Sequence, residues 1–128
     1  MRTFACLLIT AFLAVEAHAE YRFFDSDGVR IRYIEQGVGE PIILLHGHTT
    51  RIELSWISTG VFDALSANHR VIAMDFRGYG ESGKPHDPSA YGTQMAEDVI
   101  RLLDHLSIDR AHIIGYSMGA PFVLPYYP

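Results

Sequence analysis

The residues of this chain whose types and spacing could perform chemistry lie near its carboxyl end, in the run Gly115-Tyr116-Ser117-Met118-Gly119. A serine between two glycines, after a short apolar run, matches the G-x-S-x-G pattern of a nucleophile elbow. A serine hydroxyl is an effective nucleophile only where it is exposed, oriented and beside a base. A sharp turn from strand to helix would expose Ser117, and Gly115 and Gly119 leave room for that turn because they carry no Cβ atom. The alternative is a chance match in a glycine-containing loop, but the strand-like residues before the serine favour the elbow.

A loop earlier in the chain could supply hydrogen-bond donors for the oxyanion that such an attack creates. His46-Gly47-His48-Thr49 directly follows the apolar run Ile42–Leu45. A loop of this kind after an earlier strand provides the second donor of an oxyanion hole. We therefore expect the backbone N–H groups of His48 and Met118 to bind the oxyanion together. Gly47 is the glycine of this predicted loop.

Two other residues offer alternatives for acid–base chemistry. His46 could act as a general base, but the base has to meet Ser117, and a structural role is predicted for His46 instead. Asp75 begins a loop, residues 75–82, that follows another apolar run and contains two glycines. As a functional residue Asp75 would be the acid of a catalytic triad. The favoured interpretation is that Asp75 and Arg77 tie this loop together at the carboxyl ends of the strands.

The elements that must position these residues are strands that alternate with helices. Three short apolar runs without alternation predict strands covered on both faces, as in a parallel sheet: Ile42–Leu45, Val71–Met74 and His112–Ile114. Between them, apolar residues at spacings of three and four predict helices over Ser55–Ser66, with Ser55 as N-cap, and over Thr93–Leu106. This alternation is typical of βαβ units, whose right-handed crossovers place helices on both faces of the sheet.

A β-hairpin is predicted over residues 21–36, before the parallel strands. Ser26-Asp27-Gly28 supplies its turn, since glycine readily adopts a positive φ. The second strand alternates apolar residues with arginines, which predicts one buried and one solvent-exposed face. The apolar residues are Val29, Ile31 and Tyr33, and the arginines are Arg30 and Arg32.

Taken in order, these segments resemble the α/β-hydrolase superfamily, in its serine esterase- and lipase-like branch. The resemblance runs from about Phe23 to Gly119 and covers only the N-terminal part of that fold. It rests on five blocks in order: "LLHGHT", "SW", "VIAMDFRGYGESGKP", "AEDVIRLLDHL" and "IIGYSMGA". The implied fold class is α/β, with an N-terminal hairpin followed by parallel strands with helices on both faces, truncated after the nucleophile elbow.

The resemblance also implies a chemistry. Ser117 would attack an ester, thioester or lactone carbonyl and form an acyl-enzyme, with a histidine as base and then acid. Epoxide hydrolases and haloalkane dehalogenases of the same fold use an aspartate at the elbow, so Ser117 argues against those activities. The implied substrate is a small ester-like molecule, and neither a metal nor an organic cofactor is expected.

The chain departs from the family pattern after the elbow. The resemblance places the triad acid and histidine later in the chain, but the nine residues after Gly119 contain no histidine, aspartate or glutamate. Pro121 and Pro125 also disfavour a long helix. We therefore expect a truncated fragment that is inactive alone and leaves an exposed apolar edge at His112–Ile114, with possible self-association there. The alternatives are a non-catalytic α/β-hydrolase-like binding fragment and a pseudogene product.

Composition restricts the partners and ligands of the chain. Its net charge is −5 with acids and bases mixed along the sequence, so no basic stripe indicates nucleic acid as a partner. The single cysteine, Cys6, lies in the N-terminal apolar segment. The remainder of the chain therefore has no thiol for a disulfide, a nucleophile or a zinc site.

The first nineteen residues match a secretory signal peptide. Arg2 gives a positive start, Phe4–Val15 is an apolar run, and Ala17-His18-Ala19 fits an A-x-A cleavage site before Glu20. We expect cleavage between Ala19 and Glu20, which makes 1–19 the signal peptide and 20–128 a partial α/β-hydrolase domain. We therefore expect the mature protein to be secreted or periplasmic, without a stable membrane anchor. The alternatives are an uncleaved anchor and an ordinary buried helix.

Overall fold

A computed structural model of the chain describes residues 19–123, so the predicted signal peptide (apart from Ala19) and Pro125 lie outside the described part. Five strands form one mixed sheet in the order β1-β2-β4-β3-β5. The strands are β1 (Tyr21–Ser26), β2 (Val29–Gln36), β3 (Pro41–Leu45), β4 (Arg70–Met74) and β5 (His112–Gly115). Within residues 19–123 the α-helices are α1 (Val61–Ser66) and α2 (Thr93–His105), and shorter helical turns span Glu53–Ile57, Pro88–Ala90 and Ser117–Phe122. β1 and β2 pair antiparallel, β2 pairs antiparallel with β4, and β3 lies parallel between β4 and β5.

The predicted hairpin followed by parallel strands is confirmed. Its turn residues, Asp27 and Gly28, both have positive φ, 52° and 84°. Two such residues form the tight turn that matches the twist of an antiparallel pair. The three predicted parallel strands are also present, each within one residue of its expected bounds.

The register of the parallel strands brings three loops to one edge of the sheet. Leu45 at the end of β3 is paired with both Met74 of β4 and Gly115 of β5. The loops that follow these strands therefore start side by side, as expected for the carboxyl ends of an open α/β sheet. These three loops contain His46, Asp75 and Ser117, the candidate residues predicted from the sequence.

Helices cover both faces of the sheet, as predicted. Successive side chains of a strand point to opposite faces, so each central strand contributes to two apolar clusters. α2 packs on one face through Met95, Val99 and Leu102, against Ile43, Leu45, Ile72 and Met74. The segment around α1 packs on the other face through Trp56 and Phe62, against Ile42, Leu44, Val71 and Ala73.

The helix predicted over Ser55–Ser66 was wrong as a single element. The structure has a π-helical turn, Glu53–Ile57, followed by the separate six-residue helix α1. Gly60 lies between them with φ 77°, a left-handed conformation that a continuous right-handed helix does not contain. Ser55 is inside the π-helical turn rather than at an N-cap. In contrast, the helix predicted over Thr93–Leu106 is confirmed as α2, with Leu106 as its C-cap.

The expectation that Arg32 lies on a solvent-exposed face was also wrong. Arg32 is only 3% exposed, and the stretch 31–34 of β2 is buried at every position. β2 lies between β1 and β4, and acidic side chains from two loops cover the face on which Arg32 lies. The alternation therefore marked a buried ion pair and not a face open to water.

β5 is an edge strand of the described sheet, because β3 is its only partner among residues 19–123. Ile114 remains 39% exposed there. An open groove of about 1240 Å³ runs beside this edge, lined mainly by residues near the amino ends of β3 and β5, and Ser117 does not line it. Within residues 19–123, no helix has the length and apolar character required to cross a bilayer.

Candidate active site

The backbone turns sharply where β5 ends, and Ser117 sits at that turn. Tyr116 is still extended, with φ −105° and ψ 128°, while Ser117 has φ 49° and begins a 3-10 turn, Ser117–Phe122, that contains Pro121. A left-handed conformation at a non-glycine residue costs on the order of 1 kcal/mol or more and occurs mainly where function requires it. The Ser117 side chain is solvent-exposed at the carboxyl edge of the sheet.

The two glycines of the elbow allow a close approach of backbone segments. A Cβ atom at Gly115 would collide with the carbonyl of Gly119 and would lie 2.7 Å from Ala120 N. A Cβ atom at Gly119 would collide with the carbonyl of Leu45 and would lie 2.9 Å from that of His46. The elbow therefore packs directly against the end of β3, a contact that only glycine permits at these two positions.

The loop after β3 lies beside Ser117. The N–H of Tyr116 donates to Leu45 O at 2.9 Å, which joins the elbow to the start of this loop. A Cβ atom at Gly47 would lie 2.9 Å from Cδ1 of the Tyr116 ring and 3.4 Å from Cβ of Ser117. The sites predicted at Gly47 and at the elbow are thus adjacent in space although 70 residues separate Gly47 from Ser117.

The two N–H groups predicted to bind an oxyanion are not engaged by any residue that the structure describes. Among residues 19–123, neither His48 N–H nor Met118 N–H donates a hydrogen bond. His48 itself is exposed, and its Nδ1 atom lies 2.6 Å from the Tyr79 hydroxyl. Met118 directly follows Ser117 in the chain, and His48 follows Gly47, which lies beside Ser117.

His46 is buried and fully engaged by the backbone. Its Nε2 atom accepts the N–H of Phe76 at 3.0 Å, and Nδ1 lies 2.7 Å from the carbonyl oxygen of Gly47. Because Nε2 accepts, the proton of a neutral ring is on Nδ1, which donates to Gly47. Burial lowers the pKa of His46 from its ordinary value of 6.5, despite the bond to Gly47 and the nearby Asp75. These contacts confirm the predicted structural role, since neither ring nitrogen is available to Ser117.

Asp75 ties the loop after β4 to its surroundings, as the sequence analysis predicted. The carboxylate is fully buried and accepts the N–H of Ile52 on Oδ1 at 2.9 Å and the N–H of Glu81 on Oδ2 at 3.1 Å. Arg32 donates to the same carboxylate. A Cβ atom at Gly80, where φ is 51°, would collide with this group. With its oxygens committed in this way, Asp75 is not placed to orient a catalytic base.

Arg77 anchors the same loop to α2. Its Nε and Nη2 atoms donate to the two carboxylate oxygens of Asp98 at 2.7 and 2.6 Å, and Nη1 donates to Ala90 O at 2.7 Å. This bidentate geometry gives both strength and a fixed orientation. Sequence reasoning missed Asp98 and the burial of Arg32. An acid within the apolar stripe of a helix, between Met95 and Val99, was the signal that could have identified Asp98.

No side chain that the structure describes acts as a base toward Ser117. Its hydroxyl makes no hydrogen bond with any of residues 19–123. The described residues also contain no group of three or more histidine, cysteine, aspartate or glutamate side chains arranged to hold a metal ion. The site thus presents an exposed serine and two N–H donors.

Comparison with known proteins identifies the family to which this fold belongs. A family model described as alpha/beta hydrolase fold matches residues 40–128. The chain is 37% identical over 108 residues to a dihydrolipoyllysine-residue acetyltransferase component of the acetoin cleaving system of Cupriavidus necator, a match that covers 81% of the chain and 27% of that relative. It is 36% identical over 105 residues to haloalkane dehalogenase 2 of Mycobacterium tuberculosis, a match that covers 80% of the chain and 35% of that relative.

The fold has similar counterparts among solved structures. An epoxide hydrolase from an endophytic Streptomyces superposes with a TM-score of 0.76 at 33% identity, over 86% of the chain and 33% of that structure. Epoxide hydrolase A from Mycobacterium thermoresistibile gives a TM-score of 0.75 at 30% identity, over 84% and 34%. The chain thus spans between about a quarter and a third of the length of these relatives. The family model, the relatives and the sheet topology agree that the chain belongs to the α/β-hydrolase family and corresponds to an N-terminal part of that fold.

Proposed function

We propose that this chain carries the nucleophile and the oxyanion donors of a serine hydrolase that cleaves carboxylic ester-type bonds. The observation that carries the proposal is the position of Ser117. It is exposed, in a left-handed conformation, at the end of β5, and beside a loop whose His48 N–H has no acceptor among the described residues. Strain at one exposed serine, next to free backbone donors, is the arrangement that nucleophilic acyl transfer requires.

In this reaction the Ser117 hydroxyl oxygen forms a bond to the carbonyl carbon of the substrate. The electron pair of the C=O π bond moves to the oxygen, and the N–H groups of His48 and Met118 stabilise the resulting negative charge. The proton of the hydroxyl passes to a base, which returns it to the departing alkoxide, and an acyl-enzyme remains. Water then attacks the acyl carbon by the same path and releases the acid.

The choice of ester chemistry rests on the residue at the elbow. Relatives of the chain are named as a haloalkane dehalogenase and a soluble epoxide hydrolase, and enzymes of those kinds use an aspartate at this position. Ser117 stands there instead. A serine forms an acyl-enzyme that water can hydrolyse, whereas it does not provide the carboxylate with which those enzymes form an ester intermediate. We therefore place the chain in the serine esterase-like branch.

Little hydrolysis is expected from the chain alone. None of residues 19–123 presents an imidazole to the Ser117 hydroxyl, and a triad without its base retains only binding and oxyanion stabilisation. The histidine and the acid are expected from sequence that follows the elbow. Reading the locus beyond the codon for Pro128 in all three frames tests this, and the absence of both residues would favour a non-catalytic binding fragment.

A direct test measures phosphonylation of serines at alkaline pH, where hydroxide replaces the missing base. The chain is incubated with a p-nitrophenyl phosphonate ester, and modified peptides are quantified by mass spectrometry. Ser107 is a matched internal control, since it is exposed and has a positive φ of 54°, but its own N–H and that of Ile108 already donate to the carbonyl oxygens of Asp104 and Leu103. Ser117 should be modified at least about tenfold faster than Ser107, since one oxyanion donor contributes about 10²–10³ in rate. Equal rates would contradict the proposed function.

We also propose that the chain is exported and loses residues 1–19. β1 begins at Tyr21, so cleavage after Ala19 would leave every described strand and helix intact. Mass spectrometry of the protein from its native host should give a mature N-terminus at Glu20, in the periplasm or the medium. Recovery of the uncleaved chain from the cytoplasm would argue against export.

A further inference from the structure

The imidazole of His46 is hydrogen-bonded to the peptide group between Gly47 and His48. Its Nδ1–H donates to the carbonyl oxygen of Gly47 at 2.7 Å. That carbonyl and the N–H of His48 belong to the same planar peptide unit, in which the oxygen and the hydrogen point in opposite directions. When the ring holds the Gly47 oxygen on its own side, the His48 N–H must point the other way.

The His46 ring is itself held in one orientation by contacts with the loop after β4. Nε2 accepts the N–H of Phe76, the second residue after β4, at 3.0 Å. The Phe76 and Tyr79 rings contact the imidazole edge-on, with centroid distances of 5.1 and 5.4 Å. The peptide between Gly47 and His48 is thus tied through one ring to the loop after the neighbouring strand.

We propose that His46 is a positioning residue that orients the His48 N–H toward the oxyanion formed at Ser117. This inference rests on the function proposed above, because it specifies how one of the two donors is held. A loop peptide that could rotate freely would present its N–H only part of the time. An oxyanion donor contributes most when it is fixed before charge develops.

The arrangement requires a neutral ring, and the surroundings of His46 maintain one. The charged or titratable groups that face the ring are the carboxylate of Asp75 and the hydroxyl-bearing ring of Tyr79. Protonation of Nε2 would place a second donor against the Phe76 N–H, whose hydrogen bond would be lost. Burial lowers the pKa of His46, which preserves the acceptor at neutral pH.

The first experiment measures the hydrogen bonds of the intact chain by NMR, with ¹⁵N-labelled histidine. We expect Nδ1 of His46 to be protonated and Nε2 unprotonated, and a scalar coupling between Nε2 and the Phe76 amide nitrogen. Residual dipolar couplings then report the direction of the His48 N–H. A His46 ring in the opposite tautomer, or without the coupling to Phe76, would overturn the proposal whatever the chain catalyses.

The second experiment separates the two hydrogen bonds with two variants. In His46→Asn the side-chain amide N–H can take the place of Nδ1 and still donate to Gly47. In His46→Gln the side-chain oxygen can take the place of Nε2 and accept from Phe76, but the donor to Gly47 is lost. His46→Gln should change the dipolar coupling of the His48 N–H and not that of Met118, and should slow phosphonylation of Ser117 at least about tenfold.

In His46→Asn, the dipolar coupling of the His48 N–H and the rate of Ser117 phosphonylation should both be closer to those of the unmodified chain than in His46→Gln. If the two variants instead lose the same amount of labelling, in proportion to their loss of thermal stability, His46 is only a structural residue and the proposal fails. The outcomes also separate this inference from the proposed function. Ser117 that labels no faster than Ser107 in the unmodified chain contradicts the function, while the tautomer and the dipolar couplings still decide the orientation of the His48 N–H.

Discussion

Arg32 and Asp75 form an ion pair that lies entirely inside the described part of the protein. Nε of Arg32 donates to Oδ2 of Asp75 at 2.7 Å, Nη2 lies 2.6 Å from the same oxygen, and the two side chains are 3% and 0% exposed. Oδ1 of Asp75 accepts the N–H of Ile52, on the segment that continues from the His48 loop. One carboxylate therefore connects β2, the loop after β4 and the loop after β3.

Loss of the Asp75 charge should destabilise the fold strongly. In Asp75→Asn the shape is kept but the Arg32 guanidinium stays buried without its main counter-charge, although Glu53 lies 2.9 Å from it. Breaking a buried pair from one side costs about 3–5 kcal/mol, and the remaining contact with Glu53 favours the lower figure. Urea denaturation measures this loss. Glu35→Gln, which breaks the partly exposed pair with Arg70, is the control and should cost at most about 1 kcal/mol.

The contact between the elbow and β3 predicts different costs at two glycines of the site. Gly119→Ala places a methyl group against the backbone carbonyls of Leu45 and His46, which cannot move aside. We expect a loss of about 2 kcal/mol or more in the free energy of unfolding. Gly47→Ala makes a tight contact with the ring of Tyr116, which is 61% exposed and can rotate, and an ordinary van der Waals contact with Cβ of Ser117 at 3.4 Å. A loss for Gly47→Ala as large as that for Gly119→Ala would show that the elbow does not pack as described.

The buried His46 predicts a decrease of stability in mild acid. Its pKa is lowered by burial, so the unfolded chain takes up the proton first as the pH falls through 6.5. Stability should therefore decrease below that pH, by up to about 1.4 kcal/mol per pH unit for one proton. Urea denaturation between pH 7 and pH 5 measures the slope, and His46→Asn should make it shallower. An unchanged slope in that variant would assign the effect to another group.

A second acid-sensitive interaction lies at lower pH. Burial is the largest single influence on Glu53 and tends to raise its pKa, but the hydrogen bonds from Arg32, from its own backbone N–H and from Tyr21, together with the charge of Arg32, outweigh burial and lower the pKa from 4.5. The stability that this carboxylate contributes is present above its unfolded pKa and is lost as the pH falls below about 4.5. Glu53→Gln should abolish that part of the pH dependence and leave the slope between pH 7 and pH 5 unchanged.

The open edge of β5 predicts association of the chain with itself. An apolar edge strand offers unpaired backbone groups to another chain, and a lysine on such a strand opposes that pairing. Sedimentation velocity should show a molecular mass that rises with concentration, and Ile114→Lys should reduce the rise. Val38→Lys is the control, because Val38 is 88% exposed in the loop between β2 and β3. A monomeric chain with a cooperative thermal transition would contradict this prediction.

Local sequence predicted the five strands, α2 and the loops that carry the candidate residues, but not the break at Gly60 that separates the π-helical turn from α1. Apolar runs without alternation marked the three parallel strands because both of their faces are covered. The elbow was predicted from its own residues, although the glycine at position 119 is required by packing against the end of β3. The order of strands and helices then placed the three candidate loops at one edge, because right-handed crossovers align parallel strands.

Only the tertiary structure decided which polar residues are buried and what they bind. The pattern at Arg32 is that of a half-exposed strand, and its burial depends on Asp75, which is 43 residues away. Likewise, the bond from Phe76 that selects the tautomer of His46 comes from the loop after β4, a strand that is adjacent to β3 in the sheet and distant in the chain. Hydrophobic periodicity indicates which face of a strand or helix packs against the core. A charged side chain, in contrast, is buried only if a partner from another segment offsets the cost of its desolvation. That pairing is a property of the assembled sheet, because the partners come from segments that are distant in the chain.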